Sequence, residues 1–252
     1  MARVPHLPPV FEPVALSAPG NVQAEAIALA RTGAEEGTLV WGPTAGCGVA
    51  RANKTWHPAG DGLSCAILLR PEDPLSVAAQ TALVAMVALG NAVAQSVQPM
   101  TDLAYGWPND LFLNQRKAAA VTLHGGEDEG GRWLVVGANL NLAEEPDPTG
   151  LGAASLFSEG HARLGREEFL EGYARQFLAW LNRWAEDGMA PVHRAWQGRA
   201  RGLDQPMRLG TSACCWAGKL RRVREDGAAE LAPAAGEPVV VSLGEAFGLE
   251  GS

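Results

Sequence analysis

Apolar and polar residues alternate along this chain in two distinct periods, and the switches between them predict its elements. Asn21 looks like an N-cap for a helix over Val22–Arg31, with Gly33 ending it. Thr38–Pro43 (TLVWGP) and Leu63–Leu69 (LSCAILL) are short apolar runs of the buried-strand type. From Ser76 to about Ala94 the chain is apolar nearly all round, which predicts a deeply packed helix capped by Ser76. Leu111–Leu113 and Lys117–His124 read as a hairpin across Asn114-Gln115-Arg116, and Trp133–Leu142 as a further strand. The clearest helical spacing lies in residues 166–187, where Phe169, Tyr173, Phe177, Trp180, Leu181 and Trp184 share one face. Glu171 and Arg175 are expected to pair on the opposite side, Gly188 to stop the helix, and His193–Arg201 to form a shorter one. After Pro206 the pattern changes to short strands (Met207–Leu209, Lys219–Arg224, Ala229–Ala232, Val239–Leu243) separated by turn residues. Two stretches lack periodicity: residues 44–62, with Gly46, Gly48, Gly60 and Gly62, and residues 143–162. Loops of that length in a compact domain are usually functional or disordered.

Composition narrows the classes. The chain has 252 residues, 47% hydrophobic and 19% charged, an ordinary globular balance. Its net charge of −8 lacks the positive footprint of a nucleic-acid binder. The longest weakly polar stretch, near Ala82–Gly90, falls far short of the ~20 residues that span a bilayer, so no membrane partner is expected. The first 20 residues contain five prolines and no signal-peptide pattern. Four cysteines, at 47, 65, 214 and 215, match no zinc spacing and suggest a reducing, cytoplasmic compartment. Only three lysines occur, Lys54, Lys117 and Lys219, which makes the position of each informative.

Three segments carry candidate chemistry. Trp107-Pro108-Asn109-Asp110 is followed by Arg116-Lys117-Ala118-Ala119; Gly137-Ala138-Asn139-Leu140-Asn141 lies on a predicted strand; and Gly46-x-Gly48 leads through Arg51 and Lys54 to Trp56. In their order along the chain they resemble the biotin protein ligases and the wider biotin/lipoate ligase family. The resemblance covers roughly residues 14–247. It implies an α+β fold of the class II synthetase type: a mixed β-sheet backed by helices, with a small SH3-like β module at the C-terminus. The expected organisation is an extended Pro-rich arm (1–20), a ligase-like domain (21–202) and the β module (203–252).

The resemblance also implies an activity. ATP would activate a small carboxylic acid such as biotin or lipoate as its adenylate, and the acyl group would pass to a lysine of a carrier-protein domain. Joining a carboxylate to a triphosphate requires cations and oriented N–H donors. Lys117 and Lys54 are therefore the candidate catalytic residues. Gly46, Gly48, Arg51, Trp56, Trp107, Asn109, Asp110 and Asn141 are the candidate ligand-binding residues, with Asp110 as a candidate magnesium ligand. No tightly bound metal is expected, and the chain is expected to be a monomer or homodimer. Lipoyl or octanoyl transfer, or a small-molecule-binding protein that has lost catalysis, are the alternatives on the same scaffold.

Several positions depart from the family pattern. Gly106 stands where a lysine precedes Trp-Pro-Asn-Asp, Cys47 and Val49 replace loop arginines, and Pro19-Gly20 replaces a hydroxyl pair. These replacements predict weakened biotin binding. They also predict that Lys117, across the hairpin, shares a pocket with Asn109 and Asp110.

Overall fold

The computed structural model describes residues 4–44, 62–143, 154–210 and 215–249, together with the backbone of two short strands at 48–49 and 55–56. The strands are β1 Glu12–Ala15, β2 Thr38–Pro43, β3 Gly48–Val49, β4 Thr55–Trp56, β5 Leu63–Leu69, β6 Leu103–Gly106, β7 Asp110–Leu113, β8 Arg116–Asp128, β9 Gly131–Leu140, β10 Ala200–Arg201, β11 Pro206–Gly210, β12 Cys215–Val223, β13 Ala229–Ala232 and β14 Val239–Val241. The helices are α1 Val22–Arg31, α2 Leu75–Ala78, α3 Thr81–Ser96, α4 Leu156–Gly160, α5 Arg166–Asp187, α6 Met189–Gln197 and α7 Leu243–Phe247.

Eight strands form one mixed sheet in the order β1-β2-β5-β9-β8-β7-β6-β10. The two outer pairs, β1 with β2 and β10 with β6, are parallel, and the remaining pairs are antiparallel. Strand alternation divides its side chains between two faces. On one face Leu63, Cys65, Ile67, Leu111, Leu113, Val121, Val136 and Ala138 pack against the largely apolar α3, with α5 and α6 behind it. On the other, Val40, Ala66, Leu68, Trp133 and Val135 pack against Val22, Ala26 and Ala30 of α1. α1 covers only the β2–β5–β9 part of that second face. The expected mixed sheet backed by helices is therefore present.

A second, four-stranded antiparallel sheet, β11-β12-β13-β14, follows in the C-terminal region. Its Leu209, Leu220, Val223, Leu231 and Val241 join the same buried cluster as α3 and the large sheet. The Trp107 indole, only 4% exposed, donates its N–H to Gly227 O at 2.9 Å and so ties the two sheets together. Gly227 has φ +89, and a Cβ there would sit 2.4 Å from Leu243 Cδ1, so that turn requires glycine.

Several elements differ from the expectation. The Pro-rich arm contributes the edge strand β1, which accommodates Pro13 because one side of an edge strand needs no ladder donor. The long apolar helix is broken at Ala79-Gln80, and its start is set by Pro74 rather than capped by Ser76. Together α2 and α3 span 22 residues, long and apolar enough by composition to cross a bilayer, yet most of this stretch is buried in the core. The β7–β8 turn is the pair Asn114-Gln115, both with positive φ, and Arg116 already belongs to β8. α6 begins at Met189, four residues earlier than expected, and Ala200–Arg201 is strand. Glu171 is buried on the packed side of α5 and accepts the His6 backbone N–H at 2.8 Å, because the N-terminal segment lies against that helix. α7 was not expected. Its signal is the capping box Ser242-x-x-Glu245, in which each side chain bonds the other residue's backbone N–H.

Candidate functional site

The part of the second sheet face that α1 leaves uncovered carries the polar groups. Register places them in one row, since residues paired across adjacent strands share a face. Arg201 pairs with Gly106, Gly106 with Asp110, Asp110 with Ala120, Ala120 with Asn139, and Asn139 with Ser64. Neighbours on the opposite face, such as Tyr105 and Leu111, are core.

Lys117 reaches this face through an irregularity. Ala120 and Lys117 are three residues apart, so in a regular strand they would point to opposite faces. The register shifts between Leu111 and Phe112: Leu111 pairs with Ala119, but Phe112 pairs with Lys117. This β-bulge leaves Ala118 unpaired and buried, and turns Lys117 onto the face of Asp110 and Phe112. Lys117 Nζ then lies 2.5 Å from Asp110 Oδ1, with the two side chains 22% and 33% exposed. The cation is accessible, partly desolvated and held by one carboxylate.

Asn109 is fixed from both ends. Its side-chain amide donates to Val121 O at 2.8 Å, and its own carbonyl accepts from Val121 N–H at 2.9 Å. This anchor sets the position of Asp110, the next residue. Asn141 is completely buried and donates to Ala154 O at 2.9 Å, while Ala154 N–H donates to Lys117 O at 2.8 Å. Asn141 therefore clamps the chain after residues 144–153 against the Lys117 backbone. Trp107 lies beneath the row, buried against the C-terminal sheet.

Near the other end of the row, Asn139 Oδ1 accepts from Ser64 Oγ at 2.6 Å and from Gln23 Nε2 at 3.4 Å. Gly137, two residues earlier, lets helix and sheet close up: a Cβ there would be 2.3 Å from Thr122 Oγ1 and 3.0 Å from Gln23 Nε2. The sequence pattern marks Asn139 only as part of the Gly137–Asn141 segment and gives no sign of Ser64 or Gln23; the pairing of Ser64 with Asn139 makes the cluster.

The stretch 45–61 leaves and re-enters beside the same row, with Thr44 N–H donating to Gly62 O at 3.1 Å. Within it Gly48 pairs with Trp56 as part of the two-stranded β3–β4 ladder. Gly46, Arg51 and Lys54 lie outside the described residues, as does the Trp56 side chain. Among the described residues no three His, Cys, Asp or Glu side chains gather in a metal-binding cluster. A magnesium bound chiefly through nucleotide phosphates needs only one or two protein carboxylates. Asp110 fits that limited part, sharing its carboxylate with Lys117.

The chain belongs to the biotin/lipoate A/B protein ligase family, whose model matches residues 7–198. It is 34% identical over 209 residues to the biotin–[acetyl-CoA-carboxylase] ligase of Paracoccus denitrificans, covering 80% of this chain and 86% of that protein. It is 27% identical to the bifunctional ligase/repressor of Bacillus subtilis, covering 82% of this chain and 65% of that protein. Among solved structures, a biotin protein ligase-like protein of unknown function from Silicibacter shares the fold with a TM-score of 0.79 at 24% identity, over 97% of this chain and 99% of that one. The biotin protein ligase of Aquifex aeolicus, in complex with biotin and ATP, aligns with a TM-score of 0.74 at 21% identity, over 92% and 96% of the two chains.

Proposed function

We propose that the chain is an ATP-dependent biotin protein ligase. The observation that carries this reading is the 34% identity to the Paracoccus ligase across most of both chains. The open face supports it with a partly exposed lysine that a ligand can reach. In the first step the biotin carboxylate attacks the α-phosphorus of ATP, forming biotinyl-adenylate and releasing pyrophosphate. In the second, the amine of a carrier-protein lysine attacks the acyl carbon, AMP leaves, and an amide forms.

Lys117 is suited to both steps, because charge builds on oxygen in each and a preorganised cation in a partly desolvated site offsets it. Asp110 orients that cation. Magnesium, when bound with the nucleotide, would neutralise phosphate charge, and Asp110 is its candidate protein ligand. Arg51, Lys54, Trp56 and the backbone of Gly46 and Gly48 belong to a stretch whose ends meet beside the row, which supports their assignment to the same ligand. Asn141 and Trp107 support the site from beneath. A net charge of −8 supports the absence of a nucleic-acid partner. Unpaired Cys65 and Cys215 suit a reducing compartment such as the cytoplasm. Lipoyl or octanoyl transfer is the less supported reading, since the relatives cited above are biotin ligases.

The test is incorporation of biotin into a purified carboxyl carrier domain in the presence of ATP and magnesium, read by streptavidin blot and intact mass. Label that requires ATP is expected. Lack of both label and biotin-dependent pyrophosphate release, or labelling by lipoate in preference to biotin, overturns the reading.

A further inference from the structure

The open face carries a second cation, one that the family resemblance does not point to. Arg201 lies on β10, which joins the sheet edge beside β6 with Arg201 opposite Gly106 and Gly106 opposite Asp110. Two strand spacings, about 10 Å, thus separate the Arg201 and Asp110 backbones on a shared face. The Arg201 guanidinium carbon stands 4.0 Å from the centroid of the Phe112 ring, and its Nη1 donates to Gln115 O at 3.1 Å. Phe112 is in turn the register partner of Lys117. The ring is therefore flanked by two cations, one from β8 and one from β10.

Their electrostatic situations differ. Lys117 is paired with Asp110, whereas no carboxylate among the described residues comes within ion-pair distance of Arg201. Contact with the Phe112 ring holds the guanidinium in place, and Gln115 takes one of its N–H donors. The ring also explains the bare position at 106. A Cβ on Gly106 would lie 2.8 Å from Phe112 Cε2, so a side chain there would push aside the surface on which Arg201 rests.

We propose that Arg201 binds a phosphate group of the nucleotide on the open face, with Phe112 as its rigid support. The proposal rests on the ATP-dependent reading above. A chain of net charge −8 repels a polyphosphate unless local cations outweigh that field. Lys117 is offset by Asp110, so among the described residues of the open face the uncompensated charge is that of Arg201. A planar guanidinium with donors to spare suits two phosphate oxygens at once, which a lysine ammonium cannot match in geometry. The other anion in the reaction is the biotin carboxylate, and the test separates the two.

Calorimetric titration of the full chain with ATP, inorganic pyrophosphate and biotin, each separately, is the experiment. It compares wild type with Arg201→Ala, Arg201→Lys and Phe112→Leu. Arg201→Ala is expected to weaken ATP and pyrophosphate at least tenfold and leave biotin unchanged. Arg201→Lys is expected to recover part of the loss, and Phe112→Leu to fall between the two. Unchanged melting temperatures mark the effects as local, since Arg201 is only half-buried. ATP and pyrophosphate binding unaffected by Arg201→Ala overturns the proposal. So does a loss confined to biotin, or wild type that binds neither phosphate ligand. The biotin-incorporation assay is read separately. An inactive wild type that still binds pyrophosphate through Arg201 refutes the ligase reading alone, and an active wild type indifferent to Arg201→Ala refutes this proposal alone.

Discussion

Lys117 owes its place to a neighbour with no reactive atom, the bulged Ala118. Asn109, Asp110 and Lys117 could be picked out from sequence because residue type and resemblance both marked them. Their convergence on one face could not, since strand parity alone sends Lys117 to the side opposite Ala120 and only the register shift reverses it. Asn141 and Trp107 were legible as noteworthy residues, but their contacts were not: each bonds a partner 13 and 120 residues away. If Lys117 stabilises developing oxyanion charge, Lys117→Ala should lower turnover by roughly 100-fold or more, the usual cost of losing one such donor. Its melting temperature should stay near that of wild type, because the side chain is partly exposed. An alanine variant with wild-type kcat and KM would remove Lys117 from the chemistry. Cys65 allows a separate check. Burial pushes its thiol up to about 12, so the thiolate is scarce at neutral pH. A variant retaining Cys65 as its sole cysteine should not react with a thiol reagent until the protein is unfolded.

Among the elements, α5 was read with its correct bounds from apolar spacing, because a 22-residue amphipathic helix repeats its signal many times. The same spacing puts Glu171 opposite the apolar face beside Arg175, because helical spacing says nothing about a distant segment that folds over the helix, as His6 does here. α7 is short, and its capping box was masked by the strand-like valines before it. The β7–β8 hairpin and α4 are joined by charge: Asn114 Nδ2 and Arg116 Nη1 both donate to the Glu159 carboxylate, at 2.9 and 2.6 Å. Those donors hold the Glu159 carboxyl below its ordinary 4.5. A depressed carboxyl adds stability that is fully present above the unfolded value and is lost as pH falls through the lower folded value. Urea midpoints should therefore decline below about pH 4.5, and Glu159→Gln should flatten that decline. Trp107→Phe tests the link between the sheets. It keeps most of the buried ring but leaves Gly227 O without its donor, at an expected cost of about 1–3 kcal/mol in urea unfolding. A variant as stable as wild type would show that the indole hydrogen bond is dispensable.

At the scale of the whole molecule, the order of elements and the mixed sheet were legible, because strand and helix periods differ and follow one another cleanly. The continuity of the core was less so. Composition shifts near residue 203, which suggests a boundary, yet Leu209, Leu220, Leu231 and Val241 pack into the cluster that holds Leu83 and Val121. A shared core couples the unfolding of its parts. Differential scanning calorimetry should show one transition with matching calorimetric and van't Hoff enthalpies. Two resolved transitions would mean that the C-terminal sheet melts independently.

The bulge also decides which kind of mutagenesis can find this site. Substitution scanning tests side chains, and Ala118 offers only a methyl group to remove. Deleting Ala118 would remove the extra residue itself: Leu111 would still face Ala119 and Phe112 would still face Lys117, so Lys117 would stay on the face of Asp110. Inserting one further residue beside Ala118 would change the parity again and turn Lys117 toward the core, so insertion at this point should cost activity far more than deletion of Ala118 does, in a sheet that keeps count.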